Sequence, residues 1–273
     1  MVYFVGAGSG APDLITVRGA RLLAGADRII YAGSLVNPAL LDYAKKECLC
    51  QNSAEMTLEQ VIFSIRQAEA QGQTTVRLHT GDPSVYGAIR EQMDLLEQEG
   101  ISYEVVPGVS SFCAAAAALK AEYTLPDISQ SVIITRMEGR TPVPEKEKMA
   151  LMAAHGCTMV IFLSAGLLAP LTKELLSGAY RPDTPAAIVY KASWPDEKIL
   201  RCTVETLEQT ARANGISKTA LIVVQRIACD PLIAAAPAKQ NGGAWSYRSW
   251  RLPNRAHAAS GGMCRCGPLG REI

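Results

Sequence analysis

Four short apolar runs within the first 108 residues, "VYFVGAG", "RIIYAG", "TTVRLHTG" and "ISYEVVPG", each lead into a glycine. Runs of this length, rich in Val, Ile and Tyr and closed by turn residues, are strands. The stretches between and after them carry helical signals: Thr16 as a cap for a helix through Ala24, then helices over Leu58–Gln71 and Tyr86–Glu99. After the fourth strand comes "VSSFCAAAAALKA", a helix with almost no polar face, which must be buried and closely packed. Strand and helix in strict alternation predict an α/β fold, a mostly parallel sheet with helices on both faces.

The pattern pauses at Leu125-Pro126-Asp127 and restarts with "SVIITR", a helix over "VPEKEKMALMAAH", "TMVIFLS", and a helix over "LLAPLTKELLSGA". "AAIVYKAS" and "EKILRCTV" pair as strands across Trp194-Pro195, and a helix over Glu205–Ala213 precedes the strand "TALIVVQ". The expectation is two α/β domains with mixed, mostly parallel sheets, residues 1–125 and 126–229, with a ligand cleft between them beyond the carboxyl ends of the strands. From about Asp230 the chain is rich in Gly, Pro and Arg without hydrophobic period, so residues 230–273 read as an irregular or disordered tail.

Composition narrows the function. Hydrophobic residues make up 48% of 273, enough for a sizeable core, and the net charge of +1 argues against a general binder of nucleic acid or membrane surface. The eight cysteines lie partly in apolar runs, and the two C-x-C pairs lack a second pair at zinc-ligand spacing, so no metal site is expected. "MVYFVGAGSG" has neither the charged start nor the long apolar stretch of a secretion signal. A reduced, soluble, cytoplasmic protein is the expectation.

Three glycine loops follow strands. "GAGSGA", with Gly6, Gly8 and Ala11, loosely fits a dinucleotide fingerprint, but no acidic residue for a ribose follows the second strand before Asp42. The second, "HTGDPSVYG", offers Thr80, Gly81 and Asp82 with their backbone groups; read plainly, it is a β–α turn with Asp82 bonded to local amides. The third, "VVPGVSS", offers Ser110 and Ser111 at a helix start, where an N-cap serine is the plain reading. A shared ligand explains why these loops recur after successive strands.

Together, "GAGSGAPDLITVRGARLL", "IIYAGSLVNPALL", "LHTGDPSVYGAIREQMDLL", "YEVVPGVSSFCAAAAAL", "ITRMEGRTPVPEKE", "IFLSAG" and "PAAIVYKASWPDEKI" resemble the tetrapyrrole methylase family over the chain to about Gln225. "YAGSLV", "GRTPVPE" and "YKASWPDE" point to one branch of it. The resemblance implies an S-adenosylmethionine-dependent C-methyltransferase acting on a corrin-ring precursor, working as a homodimer, with the cofactor folded between two domains and held largely by backbone. The matching cofactor positions are Thr80, Gly81, Asp82, Val85, Ser110, Ser111, Leu163, Ala192 and Ala220. A tetrapyrrole bears many carboxylates, so Arg136, Arg140 and Lys191 are the expected substrate-binding cations. Two departures stand out: Ser9 where the family often carries Pro, and no familiar ending after Cys229.

Methyl transfer from a sulfonium needs no enzyme nucleophile, so no serine or cysteine is expected to react. Asp13 and Glu138 are possible bases for a ring proton. His79 reads as a satisfied core or rim histidine, and Trp194 as packing at a hairpin. A sister methylase acting at another ring position, a nicotinamide oxidoreductase and a binding protein without activity remain as alternatives.

Overall fold

A computed structural model describes residues 1–224 of the chain. Its first sheet is built from β1 (Val2–Gly6), β2 (Arg28–Tyr31), β3 (Leu49–Asn52), β4 (Thr75–His79) and β5 (Tyr103–Val106), in the order β3-β2-β4-β1-β5. Every pair in it is parallel. Side chains alternate across such strands. Val5, Ile29 and Leu78 therefore pack against α1 (Val17–Gly25) and the 3-10 segment Pro38–Tyr43, while Phe4 and Ile30 face α2 (Leu58–Ala70) and α3 (Arg90–Gln98).

The helices begin where the local chemistry places them. Thr16 Oγ1 accepts from the Gly19 N–H at 3.1 Å. Thr57 and Gln60 form a reciprocal capping box at the start of α2, whose Val61, Ile62, Ile65 and Ala68 share the buried face. A cap of this kind contributes about 1 kcal/mol.

The second sheet holds β6 (Val132–Arg136), β7 (Thr158–Phe162), β8 (Pro185–Tyr190), β9 (Lys198–Thr203) and β10 (Ala220–Val224), in the order β6-β7-β10-β8-β9. Only β6 and β7 run parallel; the pairings of β10 with β7 and β8, and of β8 with β9, are antiparallel. One face carries α5 (Met149–Ala153), α6 (Leu168–Ser177) and α7 (Leu207–Ala213). The other is covered by α4 (Ser111–Leu119), the alanine-rich helix that leaves the first sheet: its Ala114, Ala115 and Leu119 pack on Val160, Val189 and Val223. Small side chains let that helix approach the second sheet closely and join the two halves into one structure.

Three elements depart from the sequence reading. The helix after β4 starts at Arg90 rather than Tyr86, because Tyr86 and Ala88 take left-handed backbone at φ 55° and 49°. The expected helix over "VPEKEKMALMAAH" shrinks to a 3-10 turn at Glu145–Glu147 and the five residues of α5. β3 was not anticipated; it is a short edge strand whose "LCQN" has no alternation to betray it. The tail over residues 230–273 lies outside the described residues, as does Gln225. Among the described residues no helix is long and apolar enough to cross a membrane.

Candidate functional site

The first-sheet strands that end nearest one another are β1, β4 and β5, and their three glycine loops meet there at the limit of contact. A Cβ on Gly6 would stand 2.5 Å from Gly108 Cα, and one on Gly108 would stand 2.2 Å from the Gly81 carbonyl oxygen. Asp82 fastens two of the loops: its Oδ2 accepts from the Gly108 N–H at 2.8 Å and its Oδ1 from the Ser84 N–H at 2.8 Å, with the Ser84 hydroxyl as a further donor. Partial burial would raise the Asp82 carboxyl, but these donors outweigh it and hold it below the usual carboxylate range.

The same junction decides against a dinucleotide site. Between β1 and β4 the connections leave for opposite faces, and an open crevice at such a point would receive a pyrophosphate. Here Gly8 and Gly81 close it as a β-bridge: the Gly8 N–H donates to Gly81 O at 3.2 Å and the Gly81 N–H to Gly8 O at 2.9 Å. The amides that would cradle phosphate are spent on each other.

The open space lies on the far side of that bridge, a cavity of about 580 Å³ between the first-sheet loops and the edge of the second sheet where β7 and β8 end and β10 begins. Thr80, Gly81, Asp82 and Val85 form one wall; Ser110 and Ser111 bring the start of α4 to it. Ser110 occupies the N-cap position without making a side-chain cap bond. Leu163, Ala192 and Ala220 close it from the second half, with Lys191 at the edge. All nine positions expected to meet a cofactor thus border one cavity.

Four residues of the lining sit on strained backbone. Leu163, Lys191 and Thr219 border the cavity at φ 53°, 46° and 58°, as does Tyr86 at 55°. Left-handed backbone at a non-glycine costs of order 1–3 kcal/mol and persists only where neighbours over-determine it. For Leu163 the neighbour is Ser164, fully buried, whose Oγ donates to Phe162 O at 2.6 Å and accepts from the Met137 N–H at 2.9 Å. The clamp turns Leu163 out into the cavity, 70% exposed.

The first glycine loop serves as a clasp. Ser9 Oγ and Ser193 Oγ share a hydrogen bond at 2.9 Å, the Ala11 N–H donates to Ser193 Oγ at 3.1 Å, and Trp194 Nε1 donates to Ser9 O at 3.2 Å. A β-carbon on Gly10 would stand 2.2 Å from the Trp194 indole, so Trp194 packs between halves rather than only across its hairpin. Lys191 Nζ pairs with Asp196 at 2.6 Å and sits over the Tyr190 and Trp194 rings; the Asp196 carboxylate raises its pKa.

The two expected arginines are not brought to the cavity wall. Arg136 donates to the carbonyls of Met137, Thr141 and Pro142, which makes it the staple of its own loop. Arg140 is exposed on that loop, next to Gly139, which packs near the cavity-lining Leu167. Asp13 and Glu138 are exposed and stand outside the lining. Ser9 lines it too, and so do Tyr86, Phe162 and Lys218, which had no signal in the sequence, since nothing local marks a residue that meets the other half.

His79 is buried under the second loop, its Nε2 without a hydrogen-bond partner and its ring 5.9 Å from that of Phe4. Burial, then the nearby Arg77 guanidinium, push its pKa down to about 3, so it is a neutral core histidine. The stability carried by this neutral form is complete above pH 6.5, the ordinary imidazole pKa, and is lost as pH falls from there toward about 3. Chemical denaturation should find the chain about 1.4 kcal/mol less stable at pH 5.5 than at pH 8 on this account. His79→Gln should flatten that slope; a slope unchanged in the variant would assign it to other groups.

Comparison with known proteins places this geometry. The family model for tetrapyrrole (corrin/porphyrin) methylases matches residues 1–208. The cobalt-precorrin-4 C(11)-methyltransferase of Methanocaldococcus jannaschii is 54% identical over 226 residues, 83% of this chain and 87% of that protein. The crystal structure of a cobalt-precorrin-4 methyltransferase of cobalamin biosynthesis superposes with a TM-score of 0.80 at 50% identity, covering 82% of this chain and 94% of the other. The uroporphyrin-III C-methyltransferase of Thermus thermophilus, solved with S-adenosylhomocysteine, gives 0.68 at 28% identity over 82% of this chain and 91% of the other. With family model, sequence and fold all matching along the same stretch, the chain belongs to the tetrapyrrole (corrin/porphyrin) methylases.

Proposed function

We propose that the cavity binds S-adenosylmethionine and that the chain methylates precorrin-4 or cobalt-precorrin-4 at C11, a step in building the corrin ring of cobalamin. The observation that carries this reading is the convergence of Thr80, Gly81, Asp82, Val85, Ser110, Ser111, Leu163, Ala192 and Ala220 on one cavity, in a chain 54% identical to a cobalt-precorrin-4 C(11)-methyltransferase.

The residues present fit that cofactor. The walls are mostly apolar side chains and backbone, suited to a nucleoside, and the start of α4 is suited to the carboxylate of a methionyl tail. When bound, the cofactor supplies a methyl group already activated by its sulfonium. The chain's own work is binding, orientation and exclusion of water. The glycine junction holds the loops of the first half, the Ser164 clamp presents Leu163, and the Ser9–Ser193–Trp194 clasp ties the halves on either side of the cavity. An in-line displacement gains most of its rate from such positioning.

We assign the substrate's carboxylates to Lys191, which borders the cavity, and to Arg140 on the β6–α5 loop, which Arg136 holds in shape through its bonds to the loop carbonyls. Arg140→Ala is expected to lower kcat/KM for the tetrapyrrole roughly tenfold, the loss of one charge-assisted pair, with S-adenosylhomocysteine affinity unchanged. Arg140→Lys should recover only part, having lost the planar fork. Equal turnover in parent and both variants would return Arg140 to a solvated loop. The reading extends to a homodimer of two α/β domains per chain, meeting near residue 125, in the cytoplasm; sedimentation tests the dimer. The function itself is tested by calorimetry with S-adenosylhomocysteine and by incubating the chain with methyl-labelled cofactor and each substrate form. Label incorporated at C11 supports it, whereas NAD binding without S-adenosylhomocysteine binding would reject it.

A further inference from the structure

Tyr86 caps no helix and fills no core, yet the fold holds it in place firmly. Its φ of 55° is a region that bulky residues avoid, and Ala88 repeats it at 49°. The turn is fastened from beneath by a buried polar row. Gln92 Nε2 donates to Ala88 O at 2.9 Å, Arg77 Nε donates to Gln92 Oε1 at 3.0 Å, and Arg77 Nη1 donates to Ile30 O at 3.0 Å. Gln92 and Arg77 are 5% and 7% exposed. A packing residue would repay such strain by burial, but Tyr86 stays 45% exposed. Its ring borders the cavity and leans on Phe162, from the end of β7, with centroids 5.3 Å apart at 47°.

We propose that Tyr86, braced by Phe162, is a positioning residue for the tetrapyrrole: its exposed ring face is the ledge on which the macrocycle rests beside the cofactor cavity, setting the acceptor carbon in line with the methyl group. The inference rests on the methyltransferase function proposed for this cavity. Three observations support it. Backbone strain at an exposed aromatic marks a functional demand. A rigid ring with only two rotatable bonds orders a planar ligand at little entropic cost. The Tyr86–Phe162 pair bridges the two halves at the cavity, as a ledge between cofactor and substrate must.

The test uses the full chain with Tyr86→Phe, Tyr86→Ala and Tyr86→Leu. S-adenosylhomocysteine affinity is read by calorimetry, and cobalt-precorrin-4 affinity and methylation by absorbance under saturating cofactor. Tyr86→Phe keeps the ring and should stay within about threefold of the parent in every reading. Tyr86→Ala should bind S-adenosylhomocysteine within about threefold, bind the tetrapyrrole about tenfold more weakly, and lose about a hundredfold in kcat, the scale of a 1 Å misplacement. If the alanine variant does not fold, Tyr86→Leu, bulky but without a ring face, should show the same split. A parent that methylates while the non-aromatic variants match it overturns this inference alone. Loss of S-adenosylhomocysteine affinity in step with turnover also overturns it, by making Tyr86 a wall of the cofactor cavity. A parent that binds S-adenosylhomocysteine yet never methylates the tetrapyrrole overturns the proposed function, and the ledge with it.

Discussion

Gly108→Ala should lower S-adenosylhomocysteine affinity about a hundredfold and cost the chain about 3 kcal/mol of stability, the upper range for overpacking a close contact. The added Cβ would stand 2.2 Å from Gly81 O and 2.7 Å from Gly6 Cα, both backbone atoms with no rotamer to escape into. Retreat is blocked from two directions. β5 is paired with β1 as far as Val5 and Val106, and the Gly108 N–H is tied to Asp82. The strand end can move only by breaking those bonds, which shifts the second and third loops together and closes the cavity they border. Gly100→Ala is the control: Gly100 has φ 65° but nothing within 4 Å of where its β-carbon would stand, so only backbone strain is added there. It should cost about 1 kcal/mol and leave ligand affinity intact. Urea denaturation and calorimetry on both variants decide; equal behaviour would mean that the glycine junction has slack.

Gly81→Val should reduce S-adenosylhomocysteine affinity by more than about 2 kcal/mol, roughly thirtyfold. The cause is not crowding at the β-carbon, which would lie 3.5 Å from Ser110 Cα and 3.6 Å from the Ser111 nitrogen, ordinary contacts. It is the combination of φ 63° with branching: a β-branched residue resists left-handed backbone, and its methyls must enter the cavity that Gly81 lines. Gly81→Ala separates the two effects. It carries the strain without the branches and should lose only about 1 kcal/mol. Unchanged affinity in a folded valine variant would remove this loop from the ligand site.

Much of this molecule is written locally. Val61, Ile62, Ile65 and Ala68 recur at helical spacing behind a Thr57–Gln60 box, and α2 forms where they say it should. "AAIVYKAS" and "EKILRCTV" flank a turn at Trp194-Pro195 and pair as β8 and β9. The loops after β4 and β5 were legible as ligand loops because glycine and serine at strand ends expose backbone, and they border the cavity. Legibility failed where a neighbour distant in sequence overrides local preference. The helix read from Tyr86 starts late: Gln92 and the packing beneath it hold Ala88, and with it Tyr86, in left-handed backbone and delay α3 to Arg90. "PEKEKMALM" has the right residues for a longer helix but begins on Pro144 with extended backbone, and only Met149 and Ala153 find a core to bury in.

The sequence by itself determined the alternation of strands and helices, the caps, the burial of the alanine-rich α4 and the loops at which backbone would be offered to a ligand. These depend on hydrophobic period and on residue geometry within a few positions. Only the tertiary structure decided what those loops do. It sealed the crevice of the first loop with the Gly8–Gly81 bridge and set Trp194 against Ser9, 185 positions away. It also brought Tyr86 onto Phe162. Each of these outcomes is a contact between segments that no local pattern relates, settled only when the two halves pack together and every strand-end donor must find its acceptor.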